Sequence, residues 1–150
     1  MGDPKRPRRK YNRPKRLFDE ARIKEEKNLM SKYGLKNRKE IWIAESKLNK
    51  IREQAKKLIL EPEKQEEFIS RLSGLGLVDE KASIDDVLAL VKEKILERRF
   101  QTLVLKKKIA KTIKEARQLI THKKIKIGDE SCNIPGRLLS VQEEALIRKK

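Results

Sequence analysis

The chain has 150 residues, a formal net charge of +17, 42% charged side chains and only 4% aromatic ones. This length allows one domain with a modest aliphatic core plus appendages, and no apolar run approaches the ~18 residues that cross a bilayer. The N-terminus lacks the apolar stretch of a signal peptide and the lone Cys132 excludes an intrachain disulfide, so we expect an intracellular protein.

The basic residues are concentrated in two places. Residues 1–16 hold eight basic and one acidic residue, residues 97–126 hold eleven and two, and together these stretches carry +16 of the +17. Such segregation favours a polyanion partner over a solvated surface. A basic membrane-binding helix would present Trp or Phe on its apolar face, whereas the basic helix predicted near residue 113 presents aliphatic residues. We therefore expect nucleic acid as the partner and no membrane contact.

The first third of the chain predicts a basic extension followed by two helices. Residues 1–16 combine three prolines with dense charge, so they cannot bury enough surface to order alone and are expected to fold on a partner. A helix is predicted over 18–33, ended by Gly34. Asn37 and Glu40 have the spacing of a cap pair and open a long helix that ends before Pro62. Its packing seam is Ile41, Ala44, Leu48, Ile51, Ala55 and Leu58.

Shorter helices are predicted next. One covers 63–73 and is broken by S-G-L-G at 73–76, and Ser83 caps another that has Asp85 and Asp86 in its first turn. A further helix is predicted over roughly 93–106, with Ile95, Phe100, Leu103 and Val104 facing inward.

A capping box marks the last predicted helix. Thr112 and Glu115 have the T-x-x-E spacing, and the residues that follow form one apolar stripe, Ile113, Ala116, Leu119 and Ile120. Strands are predicted at 125–127 and 131–134 around a Gly128–Asp129 turn, and at 144–148. The predicted fold class is α+β, mostly helical. It comprises a basic extension (1–16), a helical domain (17–92) and a compact domain of two helices and a small sheet (93–150).

A family resemblance is carried by the run L-E-R-R-F-Q-T-L-V-L-K-K-K-I-A-K-T-I-K-E-A-R-Q-L-I-T-H. This run resembles the RNA-binding domain of ribosomal protein four of the small subunit, in its archaeal and eukaryal form. M-G-D-P-K-R-P-R-R-K-Y, K-Y-G-L-K-N-R-K-E-I-W and I-D-D-V-L agree with the family in order. The resemblance implies a structural, non-enzymatic protein of the cytoplasmic small ribosomal subunit that binds rRNA early in assembly. It also implies a position near the channel through which mRNA enters, beside ribosomal proteins three and five, and no cofactor.

The expected RNA-binding side chains are cations and neutral hydrogen-bonding groups. Arg suits bidentate phosphate contacts and Lys acts as a mobile point charge, while A-form RNA is read mostly through its backbone and 2′-hydroxyls. Tyr11 is included because it has no core to join within the extension. The predicted set is Lys5, Arg6, Arg8, Arg9, Lys10, Tyr11, Arg13, Lys15, Arg16, Arg38, Arg52, Lys56, Arg98, Arg99, Lys106, Lys107, Lys108, Lys111, Thr112, Lys114, Arg117, Gln118, Thr121, His122, Lys123, Lys124 and Lys126.

The chain departs from the family pattern at two turns and at its end. Lys108 and Lys123 stand where relatives usually have glycine, so these turns either close differently or place a lysine at positive φ, which costs about 1 kcal/mol. Relatives also tend to continue with a basic tail beyond residue 150, so contacts of that tail do not carry over.

Other readings of single residues are mostly structural. Trp42 is expected to be a half-buried packing residue, and Glu97 to pair with Arg98 or Arg99. His122 is expected at the helix end or on RNA rather than as a general base, and one Cys with one His makes a zinc site improbable. Arg117→Ala is expected to leave the fold nearly intact. Two alternatives stay open, an RNA-binding accessory subunit of an RNA-modifying enzyme and a helix-turn-helix DNA-binding protein.

Overall fold

The structure, a computed structural model, describes residues 10–150 and confirms a mostly helical α+β fold. Predictions on residues 1–9, including RNA contacts of Lys5, Arg6, Arg8 and Arg9, lie outside the described residues. No helix between residues 10 and 150 has the length and apolarity to cross a membrane. The elements are α1 (Glu20–Tyr33), α2 (Arg38–Leu58), a 3₁₀ turn (Pro62–Lys64), α3 (Gln65–Gly74), α4 (Ile84–Ala89), α5 (Lys92–Glu97), α6 (Phe100–Lys106), α7 (Ile113–Thr121), β1 (Ile125–Ile127), β2 (Glu130–Ser131), α8 (Val141–Ala145) and β3 (Ile147–Lys149).

The long helix α2 organises the first of two hydrophobic cores. The predicted seam is confirmed: Ile41, Ala44, Leu48 and Ala55 are buried, while Ile51 and Leu58 pack partly against them. Helices α1, α4 and α5 lie against α2. The apolar residues recur every three or four positions, so they fall on the one face of α2 that these helices cover.

Most helix ends follow the predicted local chemistry. Gly34 ends α1 at φ 58°, and Ser83 and Asp86 form a complete capping box at the start of α4. The cap pair predicted for α2 is wrong, because the Asn37 side chain makes no capping hydrogen bond. The Glu40 carboxylate instead accepts from the Lys36 backbone N–H at 3.2 Å and from two arginines of the C-terminal third.

The single helix predicted over 93–106 is also wrong, since the chain turns at Arg98 and Arg99 and forms α5 and α6. Arg99 is extended, with φ −71° and ψ 143°, and forms a β-bridge with Leu138. The Phe100 N–H donates to the Arg137 carbonyl at 2.8 Å. Backbone partners distant in sequence thus replace helical ones at the break, and Ile95 joins the first core while Phe100 joins the second.

The second core lies between α6, α7 and a three-stranded antiparallel sheet of order β2-β1-β3. The turn at Gly128 and Asp129 is confirmed, but β2 is shorter and earlier than the predicted 131–134. The strand predicted over 144–148 is wrong in its first half. Ser140 and Glu143 form a capping box that starts α8, and only the residues from Ile147 pair with β1.

Candidate nucleic-acid interface

Helix α7 presents one polar face to solvent and one apolar face to the protein. Its capping box is confirmed, because the Thr112 hydroxyl accepts from the Glu115 N–H at 3.2 Å and the Glu115 carboxylate accepts from the Thr112 and Lys111 N–H groups. Ala116 and Ile120 are fully buried. The predicted inward residues Ile113 and Leu119 are only half-buried, at the edges of the two cores.

The polar face of α7 and the turns beside it form a continuous lysine-rich surface, which we call the α7 surface. Lys114, Gln118 and Thr121 are four and three residues apart, so they lie on one side of the helix, and all three are exposed. The hydroxyl of Thr121 donates to the Arg117 and Gln118 carbonyls at 3.0 Å, which leaves its lone pairs free to accept. The α7 surface comprises Lys106, Lys108, Lys111, Lys114, Gln118, Thr121, His122, Lys123 and Lys124, all exposed.

Few cations of the α7 surface are neutralised within the protein. Of its lysines, Lys106 alone has an ionic partner among residues 10–150, Glu97 at 3.3 Å. Glu97 was predicted to pair with an arginine, so that prediction is wrong in the partner. Lys107, half-buried, donates to the Ala145 carbonyl at 3.2 Å, and Lys126 is half-buried on β1. The remaining positive charge of this surface is available to an anion from outside.

Three arginines of the predicted set are engaged inside the molecule. Arg98 donates to Glu144 at 2.6 Å and to the Leu139 carbonyl at 3.1 Å. Arg99, only 6% exposed, donates to Glu40 at 2.5 Å. Arg117, from α7, donates to the other oxygen of Glu40 at 2.9 Å. These guanidinium groups therefore make contacts inside the protein that connect the first core to the second. They do not belong to the α7 surface.

Glu40 is the shared acceptor of this arrangement, which we call the Glu40 junction. Burial opposes ionisation of its carboxyl group, but hydrogen bonds and positive charge from Arg117 and Arg99 outweigh burial and hold the pKa of Glu40 below its usual value of 4.5. Arg117 also reaches the Gly34 carbonyl at 3.4 Å. A half-buried carboxylate with two arginines is satisfied, and removing Glu40 would leave Arg99 and Arg117 without their counter-charge.

A cleft of about 240 Å³ lies beside the Glu40 junction, at the edge of the first core. Lys47 of α2, absent from the predicted set, lines it with Arg99 and Arg117. Desolvation, followed by the positive charges of Arg99 and Lys10, lowers the pKa of Lys47. Lys47 follows Glu40 by seven residues, so both lie on one side of α2. This spacing could have indicated from the sequence that Lys47 lies near Glu40.

The described part of the N-terminal extension is held against α1 and α2. Tyr11, predicted to lack a core, lies half-buried with its ring 5.8 Å from that of Trp42. Trp42 is half-buried, as predicted, and its indole N–H donates to Glu26 at 2.9 Å. Arg22 donates to the Arg16 carbonyl at 2.7 Å. The exposed cations left on this segment are Lys10, Arg13, Lys15 and Arg16.

The three cations predicted on α2 have different surroundings. Arg38 lies 3.8 Å from Glu26, and its side chain is 40% exposed. Arg52 is half-buried and donates to the Leu90 carbonyl at 2.7 Å, so it ties α2 to the end of α4. Lys56 is exposed. The structure does not bring these residues together with the α7 surface into one cluster.

Nothing in residues 10–150 groups three or more potential metal-ligating His, Cys, Asp or Glu side chains.

Residues 98–144 match the family described as S4 domain. The chain is 46% identical over 152 residues to the small ribosomal subunit protein uS4 of Ignicoccus hospitalis, covering 98% of this chain and 92% of that protein. It is 42% identical to uS4 of Saccharolobus solfataricus and 43% identical to uS4 of Thermoplasma acidophilum, covering 98% of this chain in both cases and 84% and 78% of those proteins.

Proposed function

The chain belongs to the uS4 family of small ribosomal subunit proteins, and on that premise we propose that it binds small-subunit rRNA through the α7 surface. It acts as a structural component rather than as an enzyme. Lys111 and Lys114 contact phosphates, while Gln118 and Thr121 reach sugar hydroxyls. The α7 surface consists of Lys, Gln, Thr and His side chains and has no Phe, Tyr or Trp on which bases could stack. This composition suits recognition of the shape of the RNA backbone.

One observation supports this proposal above the others. The α7 surface combines exposed lysines that have no ionic partner in the described chain with a rigid helix, since α7 is capped at its start and packed on the second core. Because the helix backbone is already fixed, binding a polyanion orders only the side chains, and the displaced counterions favour binding. The inward arginines Arg98, Arg99 and Arg117 support this surface instead of contributing to it.

The test is the salt dependence of binding to folded small-subunit rRNA. A Lys111→Gln/Lys114→Gln variant should bind more weakly, with a slope of log K against log salt reduced by about 0.7–0.9 for each lost phosphate contact. Lys81→Gln, which removes a lysine from the acidic segment between α3 and α4, serves as the matched control and should keep the wild-type slope. Equal affinity of the wild type for duplex DNA would contradict the proposal and favour the helix-turn-helix alternative.

We also propose for this chain the assembly step and the position in the small subunit that the family resemblance implies. It joins the small subunit early in assembly, in the cytoplasm, and lies near the channel through which mRNA enters, beside ribosomal proteins three and five. Reconstitution with ordered addition tests the first point, because omission of this protein should prevent later proteins from joining. Site-directed crosslinking in the assembled subunit tests the second, and crosslinks to proteins remote from that channel would contradict it.

A further inference from the structure

Several helices of this protein end in the same left-handed turn, but with different residues. After α3, the Gly76 N–H donates to the Ser73 carbonyl and the Leu77 N–H to the Leu72 carbonyl. After α6, the N–H groups of Lys108 and Ile109 donate to the carbonyls of Leu105 and Val104 at 2.9 and 3.2 Å. After α7, those of Lys123 and Lys124 donate to Ile120 and Leu119, both at 2.9 Å. This paired pattern is the Schellman motif, whose left-handed position favours glycine.

Lys108 and Lys123 have φ 57° and 56°, and no other non-glycine residue among 10–150 has a positive φ. Of the two outcomes expected for these turns, the structure has the second, which places two lysines in a backbone conformation that their Cβ atoms oppose. Gly34 is required on steric grounds as well, since an added Cβ would lie 2.8 Å from the Ile113 side chain, whereas at Gly76 it would meet only the mobile end of Arg98, at 3.0 Å. Lys108 and Lys123 are exposed, so space allows a side chain there although the backbone favours none.

The helix dipole does not account for these lysines. A cation anywhere in the last turn of a helix interacts with its carbonyl ends, and Lys106, Lys107 and Lys124 already supply such charges without a left-handed backbone. What distinguishes Lys108 and Lys123 is their location. Lys108 lies in the turn before α7 and Lys123 in the turn after it, so the two flank the helix within the α7 surface.

We propose that Lys108 and Lys123 bind two separate phosphates of the same RNA and so fix α7 along the RNA backbone. This inference rests on the proposed function and deepens it. The left-handed turn fixes each lysine's Cα relative to α7, which limits where its ammonium group can reach. The nine residues of α7, about 14 Å of helix, lie between the two turns, so we expect the two lysines to reach different phosphates.

The experiment replaces each lysine with glycine and with arginine. Lys108→Gly and Lys123→Gly relieve the backbone strain and remove the charge, so each should raise the melting temperature by about 2–4 °C. Each should also lower the slope of log K against log salt by about 0.7–0.9 on folded small-subunit rRNA. Lys108→Arg and Lys123→Arg keep both strain and charge, so they should retain the wild-type melting temperature and slope. Lys81→Gln again controls for the loss of one distant charge.

The outcomes separate the two levels of the proposal. If the wild type shows a steep salt dependence and both glycine variants keep it, Lys108 and Lys123 are not phosphate ligands and the inference is overturned. If the wild type binds folded rRNA without salt dependence, the proposed function itself is overturned. A variant that is more stable than wild type and yet binds RNA more weakly supports the inference directly, because misfolding cannot explain it.

Discussion

Arg117 on α7 donates to Glu40 on α2 at 2.9 Å, across 77 positions of the sequence. Arg99, from the break between α5 and α6, occupies the other carboxylate oxygen. One acidic residue of the N-terminal half therefore holds two basic residues of the C-terminal third. The ion pair with Glu40 also explains why the Arg117 side chain points into the protein, although α7 carries the proposed RNA-binding surface.

Arg117→Ala should reduce the stability of the protein by about 1.5–3 kcal/mol, because it removes charged hydrogen bonds from a half-buried carboxylate. This reverses the expectation from sequence that the fold would stay nearly intact. Lys114→Ala, three residues earlier and fully solvated, is the matched control and should stay within about 0.5 kcal/mol. Urea unfolding measures both. The RNA salt slope should fall in Lys114→Ala only, and a fall in Arg117→Ala without destabilisation would restore its direct RNA role.

Glu40→Gln should alter how stability depends on pH. The pKa of Glu40 is lowered in the folded protein, so its contribution is complete above its unfolded value near pH 4.5 and is lost as the pH falls through the folded pKa. The variant should be less stable than wild type at pH 7. This gap, the difference between their free energies of unfolding, should become smaller below about pH 4.5. Urea midpoints at several pH values measure the gap. Glu143 and Asp86, whose pKa values are also lowered, are present in both proteins and cancel. A gap independent of pH would show that Glu40 carries no such charge.

Ile120→Ala should cost about 2–5 kcal/mol through the cavity it leaves, because Ile120 is fully buried in the second core. Leu119→Ala should cost less, since Leu119 is half-buried at the edge of that core. Thermal and urea unfolding give the ranking. The folded fraction of each variant should keep the wild-type RNA salt slope, and equal losses from the two substitutions would contradict the observed difference in burial.

Tyr11→Ala should destabilise the protein by about 0.5–1.5 kcal/mol and shift the emission of Trp42, because the two rings are in contact. Trp42 is the only tryptophan, so intrinsic fluorescence reports this site alone. Tyr11→Phe, which keeps the ring, serves as the control and should leave emission and stability unchanged. Unchanged emission in Tyr11→Ala together with weaker RNA binding would instead support the direct RNA contact that the sequence predicts for Tyr11.

Local patterns predicted most of the helical framework. The seam of α2, the cap at Ser83 and the capping box at Thr112 depend on residues a few positions apart, and the structure has them as expected. The box at Ser140 and Glu143 has the same spacing. It was present in the sequence, but alternation near residue 144 favoured a strand, and this competing pattern produced the error.

The helix break at Arg99 and the inward course of Arg117 were not predicted, because both depend on contacts between residues far apart in the sequence. The helix break at Arg99 exists because the Phe100 N–H bonds to the Arg137 carbonyl, which no local pattern encodes. The inward course of Arg117 likewise depends on Glu40 being opposite, and on a helical wheel Arg117 lies beside residues that do face solvent. A wheel places Cα atoms, whereas a long guanidinium side chain can reach around the helix to a buried acceptor.

The Glu40 junction also orders events during synthesis of the chain. Glu40 leaves the exit tunnel well before Arg99, and Arg99 before Arg117, so the carboxylate is exposed without its two partners during the early part of synthesis. The first core lacks Ile95 and Leu96 until translation has passed them. A nascent chain halted before residue 117 thus has Glu40 with one guanidinium at most, and the second core closes later still, after Ile125, Leu139 and Ile147 have been added.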